Sequence, residues 1–330
     1  MILALETSCD DTCAAVVTRA GDVRSNVVSS QGIHDRFGGV VPELASRHHL
    51  ELVNAVVDDA LARAGAALDD VELVAVTQGP GLVGALLVGV ATAKGIAAAR
   101  RLPLAPVDHL HGHVAANFLE PEPFEPPFVC LIASGGHTLL VRVVERGSFD
   151  LLGQTLDDAA GEAFDKGARL LGLGYPGGPA LSRLATGGDA TAFSFPTAAR
   201  VGGLDFSFAG LKTALLYKVR DLGEEEAARC AADLAASYEH AIVEALMARV
   251  ERALAAEPEP RLAIGGGVAA NRRLRERARG LGVPVHVPPV ELCTDNAAMI
   301  GSAARWVTPL PFPDYLPLDA YATGPRRRAA

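Results

Sequence analysis

The chain has 330 residues, 49% of them hydrophobic and 21% charged, which gives it length for two domains and apolar content for a buried core, and excludes a disordered polymer. Its formal net charge of −9 argues against tight, unaided binding to nucleic acid. Five scattered cysteines form neither a disulfide framework nor a paired zinc knuckle, which fits a reducing cytosol, and no basic leader or cleavage site precedes the first strand, so no signal peptide is expected.

Periodicity predicts strands near 2–6, 12–18 and 23–29, then a helix from about Pro42 to Ala64 with proline in its first turn. A strand at 71–77, a helix from about Val83 to Arg100, a strand at 104–107 and a short helix carrying His109 follow. The longest apolar stretch, 81–99, contains Lys94 and several glycines and reads as a buried helix, not a membrane span. The same order then repeats. Strands are expected near 128–133, 139–144 and 149–154, a helix over 156–171, and, after an insertion, a long helix over 224–255. A strand at 262–264, a helix after Asn271, a strand at 283–287 and a helix after Asp295 complete the second copy. Three strands followed by alternating helices and strands, twice over, is strand-rich α/β. It resembles the plan of the actin, Hsp70 and sugar-kinase superfamily, a resemblance that implies two duplicated, RNase H-like halves facing a nucleotide cleft. The proline-rich segment 120–127 is the natural boundary, giving an N-terminal half at 1–125 and a C-terminal half at 126–295 with a helical insertion at about 172–225. A last helix over about 296–325 is expected to pack back on the first half.

Several groups suggest chemistry. His109 and His113 stand four residues apart, one turn on one helix face, close enough to share a metal ion; a surface helix with three histidines is the plainer alternative. Ser134-Gly135-Gly136 breaks the strand that opens the second copy, a turn that lets backbone approach a phosphate. The first hairpin carries Glu6, Asp10 and Asp11, acids suited to orienting a metal, water or nucleophile, although Asp10 could equally close an Asx-turn. Asp165 lies among Glu162 and Lys166 at helical spacing, where a solvated face is the simpler reading. Gly265-Gly266-Gly267 links a strand to a helix with Asn271 in its first turn, offering free amides to an anion or purine. Asp295 can cap the last helix or supply a third ligand beside the two histidines. Arg272, Arg273, Arg275, Arg277 and Arg279 form either a solvated helix face or an RNA-phosphate contact; Arg326 to Arg328 read as a frayed tail.

In chain order, the blocks Glu6-Thr7-Ser8-Cys9-Asp10, His109-Leu110-His111-Gly112-His113, Ser134-Gly135-Gly136-His137-Thr138 and Gly161-Glu162-Ala163-Phe164-Asp165-Lys166 are followed by Tyr175-Pro176-Gly177-Gly178-Pro179 and Phe206 to Thr213. Gly265 to Asn271 and Cys293 to Met299 complete a set that closely resembles the universal tRNA threonylcarbamoyladenosine synthesis family, once labelled O-sialoglycoprotein endopeptidases. The resemblance implies an acyltransferase that moves a threonylcarbamoyl group from threonylcarbamoyl-AMP to N6 of the adenosine beside the anticodon, position 37, in tRNAs reading codons that begin with A. It implies one divalent metal, iron (Fe2+) or else zinc (Zn2+), on His109, His113 and Asp295, and an adenylate held by Ile132, Ala133, Ser134, Gly135, Gly136, Asp165, Gly178, Ser182 and Asn271. Asp10 and Asp11 are the catalytic candidates. Partners implied are tRNA, a paralogous actin-like subunit, a small ATPase and a threonylcarbamoyl-AMP synthase, in the cytoplasm and without a membrane. Three departures stand out: Asp11 replaces a usual Glu, Asp108 a frequent His, and Ala209 a common Ser. The rivals are an ATPase or kinase of the same fold in a regulatory role and, further behind, a metalloprotease, whose glutamate base is missing because Leu110 follows His109.

Overall fold

The computed structural model describes residues 1–197 and 201–323, in two compact units: Met1–Glu125 joined by Thr294–Ala330, and Pro126–Cys293. The arginines at 326–328 lie outside the described residues.

In the first unit the apolar run Ile2–Glu6 forms strand β1, buried along its whole length and therefore central in its sheet. β2 (Asp11–Val17) and β3 (Val23–Ser30) continue it as an antiparallel meander. Helix α1 (Pro42–Ala64) starts on proline, which loses no hydrogen bond in a first turn, and stops at Gly65, whose φ of 62° suits a residue without Cβ. β4 (Leu73–Gly79), α2 (Val83–Arg100) and β5 (Leu104–Asp108) follow, both strands parallel to β1, and α3 (His109–Ala115) leaves the end of β5. The sheet order is β3-β2-β1-β4-β5. Leu3, Leu5, Val16, Val53, Val57, Val74 and Val90 share its core. By length and composition alone α2 could cross a membrane, but its Leu86, Val90 and Ala93 are buried in this unit, whose α1 and β4 it packs against.

The second unit repeats the plan. β6 (Phe128–Ala133), β7 (Thr138–Glu145) and β8 (Ser148–Gln154) form the meander. α4 (Ala160–Leu170), α5 (Gly177–Ala185), α6 (Ala209–Leu222), α7 (Glu224–Arg229) and α8 (Ala231–Leu254) follow. Next come β9 (Leu262–Gly265), α9 (Arg272–Arg279), β10 (Val285–His286) and α10 (Val290–Cys293). β9 is parallel to β6 and β10 to β9, so the order β8-β7-β6-β9-β10 matches the first sheet strand for strand. Leu234, Tyr238, Ile242, Leu246 and Val250, spaced by four, form the buried seam of α8. The chain then re-enters the first unit with α11 (Ala297–Ala303).

Four elements differ from the sequence reading. The helix expected over 156–171 starts at Ala160, because the preceding residues form a turn in which Thr155 bonds the Asp158 carbonyl and Asp157 accepts the Phe208 and Ala209 amides. The helix expected over 224–255 is broken at Cys230: the first turn of α8 is pinned by Asp233, which accepts the Asp189 amide, while α7 packs on α6. Pro284 and Pro288, which have no N–H, confine the strand at 283–287 to two residues. The helix expected over 296–325 ends at Ala303, since Pro309, Pro311, Pro313 and Pro317 cannot continue it. Those residues still pack on the first unit, where Leu310 bridges Leu104 and Tyr315 enters the core.

Candidate active site

β5 ends at Asp108, whose Oδ1 accepts the Leu110 and His111 amides at 2.8 and 3.3 Å and so caps α3. One turn into that helix the rings of His109 and His113 stand 4.7 Å apart, edge to face. Asp295, just before α11, brings Oδ1 to 3.6 Å from Nε2 of His109 and 3.3 Å from Nε2 of His113. Asn296 fixes that approach by capping α11, its Oδ1 accepting the Met299 amide at 3.0 Å. Because the chain returns to the first unit at Thr294, all three side chains belong to one unit. Their ligand atoms lie within 4.8 Å of one another.

This donor set fits a metal. Both ring nitrogens of His113 are buried without a hydrogen-bond partner, a costly state for a polar side chain and one that a cation would relieve at one of them. Two imidazoles and one carboxylate suit a divalent transition ion with positions left open. Behind His109 stands Glu6: Oε2 lies 2.9 Å from Nδ1 and also accepts the Thr77 hydroxyl at 2.6 Å, while Oε1 takes the Ser8 amide. A carboxylate on the far nitrogen of a ligating histidine fixes its tautomer and raises its basicity. Burial alone would raise the Glu6 carboxyl, yet His109 beside it holds the group below its ordinary value. Burial likewise depresses His109, but Asp295 and Glu6 carry it to about 9.

Sequence reasoning gave Glu6 no separate role. The available signal was a carboxylate inside a strand buried on both faces, which demands a partner. Asp10 and Asp11 lie on the same hairpin, and Asp11 stands opposite Ser30 where β2 pairs with β3, a neighbour that favours its charged form. Burial carries Asp11 up to about 6, against that neighbour, and the charges of Asp295, Asp10 and Glu6 add to the rise. Such a crowd of carboxylates favours a cation nearby.

The other candidates all lie in the second unit. Ile132 and Ala133 close β6 and are buried, whereas Gly135 and Gly136 in the following turn are exposed. Two glycines permit neighbouring backbone to close on that turn: a Cβ on Gly161 would lie 2.5 Å from the Ser134 carbonyl oxygen, and one on Gly266, with φ of 84°, 2.3 Å from that of Ala133. Asp165 Oδ1 accepts the Gly177 and Gly178 amides at 2.9 and 3.1 Å, so it holds the N-terminus of α5, and burial raises its carboxyl against those two bonds. Ser182 and Asn271 meet at a carboxylate absent from the sequence reading: Glu239 Oε1 accepts from Ser182 Oγ at 2.7 Å and Asn271 Nδ2 at 2.6 Å. A pocket of about 130 Å³ is lined there by Ser182, Glu239, Arg272, Arg273 and Glu276. The clue to Glu239 was a charge on the apolar seam of α8.

Most of the α9 arginines are matched by acids. Arg272 faces Glu276, Arg273 faces Glu239, and Arg277 pairs with both Glu244 and Glu251. The basic run is therefore largely neutralised within its own unit.

The family model described as tRNA N6-adenosine threonylcarbamoyltransferase matches residues 22–302. A protein of that name from Clostridium perfringens (strain SM101 / Type A) is 51% identical over 310 residues, 92% of this chain and 91% of its own. Another from Clostridium botulinum (strain 657 / Type Ba4) is 50% identical over 311 residues, with the same coverage of 92% and 91%. Among solved structures, the activator of 2-hydroxyisocaproyl-CoA dehydratase from Clostridium difficile, with bound ADPNP, is similar at a TM-score of 0.54 and 15% identity, covering 93% of each chain. T. kodakarensis HypF is similar at a TM-score of 0.59 and 15% identity, over 92% of this chain and 46% of its own. At such identities the likeness concerns the fold alone, the duplicated two-sheet α/β plan described above.

Proposed function

The chain belongs to the tRNA N6-adenosine threonylcarbamoyltransferase family, and from that premise we propose that it moves the threonylcarbamoyl group of threonylcarbamoyl-AMP to N6 of adenosine 37 in tRNAs reading codons that begin with A. In this reaction N6 attacks the carbamoyl carbon, the bond from that carbon to the phosphate oxygen breaks, its electron pair leaves with AMP, and N6 gives up one proton. An adenine amine is a weak nucleophile, so the catalyst must position it and stabilise the departing phosphate.

His109, His113 and Asp295 would hold one divalent metal, Fe2+ first and Zn2+ as the alternative, and a bound ion of this kind supplies Lewis-acid polarisation of the donor's oxygens. Glu6 lies on Nδ1 of His109 and so would leave Nε2, on the Asp295 side, as the nitrogen that holds a metal in place of the proton the two carboxylates favour. The turn from Ile132 to Gly136, with Asp165, Gly178, Ser182 and Asn271, binds the adenylate, and its backbone amides take the negative charge of the leaving phosphate. Asp10 orients the N6 amine or takes its proton, with Asp11 beside it on the hairpin.

The observation that carries this reading is the cluster around His113, a buried imidazole with no hydrogen bond that faces a second imidazole and a carboxylate. The acidic net charge and the internally paired α9 arginines support help from other chains in gripping tRNA. We assign that help to a paralogous actin-like subunit and a small ATPase, with a synthase supplying the donor in the cytoplasm. The test incubates the purified chain and these partners with threonylcarbamoyl-AMP and unmodified tRNA, then reads nucleosides by mass spectrometry. Threonylcarbamoyladenosine should form with wild type and vanish with His113→Ala. ATP turnover without tRNA and no modified nucleoside would instead return the regulatory-ATPase reading.

A further inference from the structure

We propose that the segment from Leu318 to Ala322 is a strap that sets the metal-bearing helix, and that Tyr321 is its positioning residue. This rests on the metal reading above. Asp108 uses its two oxygens for different tasks: Oδ1 caps α3 through the Leu110 and His111 amides, and Oδ2 accepts the Tyr321 hydroxyl at 2.7 Å. His109 is the next residue, so the phenol holds the carboxylate that holds the helix from which the imidazole projects.

The strap has its own anchors. The Tyr321 amide donates to the Gln78 carbonyl at 3.2 Å, Gln78 Nε2 donates to the Asp319 carbonyl at 2.8 Å, and the Gly81 amide donates to the Ala322 carbonyl at 3.3 Å. Lys94 Nζ donates to the Leu318 carbonyl at 3.0 Å. Gly79 makes the approach possible, since a Cβ there would lie 2.3 Å from the Tyr321 carbonyl oxygen and 2.7 Å from its ring. The turn so clamped also reaches the cluster by a second path: the Leu82 amide donates to the Ser8 carbonyl at 2.8 Å, and Ser8 Oγ lies 3.2 Å from His109 Nδ1. Both paths from the strap end on His109. Outer partners of a ligating histidine govern metal affinity because they fix the ring before the ion arrives.

The test titrates the metal-stripped full chain with Co2+, following the visible absorption of the bound ion. Wild type should bind one ion per chain, and His113→Ala none. Tyr321→Phe removes only the hydroxyl and should weaken Co2+ binding by about tenfold, the low end for an outer-partner change. The metal-stripped variant should nevertheless remain folded at the assay temperature by circular dichroism. Because Tyr321 acts through Asp108, Tyr321→Phe should add little in an Asp108→Ala background. Wild-type affinity in Tyr321→Phe, or the same tenfold loss with Asp108 already removed, overturns the strap. If Asp108→Ala does not fold, the single variant decides. Absence of Co2+ binding in wild type is a different failure, that of the metal reading, and the strap falls with it.

Discussion

At His113 two buried ring nitrogens lack a hydrogen bond, at a cost of about 1–3 kcal/mol per unsatisfied group. Replacing the ring with an apolar side chain should therefore move stability and binding in opposite directions. His113→Leu is expected to melt no lower than the metal-stripped wild type while losing Co2+ binding altogether. A variant that melts much lower and still binds the ion would show that the imidazole serves packing instead. Asp11 gives a pH-dependent case. Its folded carboxyl, raised to about 6, holds a proton more tightly than the unfolded chain does, so ionisation opposes folding. The contribution is most favourable below about pH 4 and is lost as pH rises through 6. Metal-stripped Asp11→Asn should accordingly exceed wild type at pH 7.5 by up to about 3 kcal/mol in urea unfolding, with the gap closing as pH falls below about 4. A difference independent of pH would sink that account.

Helix ends are where single residues control whole elements here. Asp165 sits on α4 yet acts on α5, taking its first two amides. Asp165→Ala should destabilise the second unit by about 1–2 kcal/mol, as loss of a cap does, and weaken AMP binding measured by calorimetry. Unchanged AMP affinity alongside the stability loss would reduce Asp165 to a structural cap. Helix boundaries also explain the sequence errors: in α4, the α7–α8 break and α11, a side-chain bond or a proline ended a periodic pattern that hydrophobicity alone would have extended. Where the pattern met no competing bond, as in α1, α2 and the meander strands, sequence and structure agree within two residues.

At the level of the whole molecule, each unit has its own sheet and core, and the two sets of candidate residues are partitioned between them. The imidazole–carboxylate cluster lies in the first unit and the glycine turns with Glu239 in the second. Ligands should then protect different amides from hydrogen exchange. Co2+ is expected to slow exchange in α3 and α11, and AMP to slow it in the β6–β7 turn and α5, since a ligand stabilises what it contacts. Protection of α5 by Co2+ alone, with none in α3, would contradict the assignment.

The sequence by itself determined the duplicated strand-and-helix plan, the one-turn spacing of the histidines and the family. Each of these is written in local periodicity, in proline and glycine, or in short contiguous motifs. Only the tertiary structure decided that Asp295 shares a unit with His109 and His113, that Glu6 rather than Asp10 or Asp11 backs His109, and that Glu239 joins Ser182 to Asn271. These are carboxylates whose partners lie far along the chain. A buried charge must find a hydrogen bond or an opposite charge, but its position in the sequence says only that one is needed, and the packing of distant elements selects which.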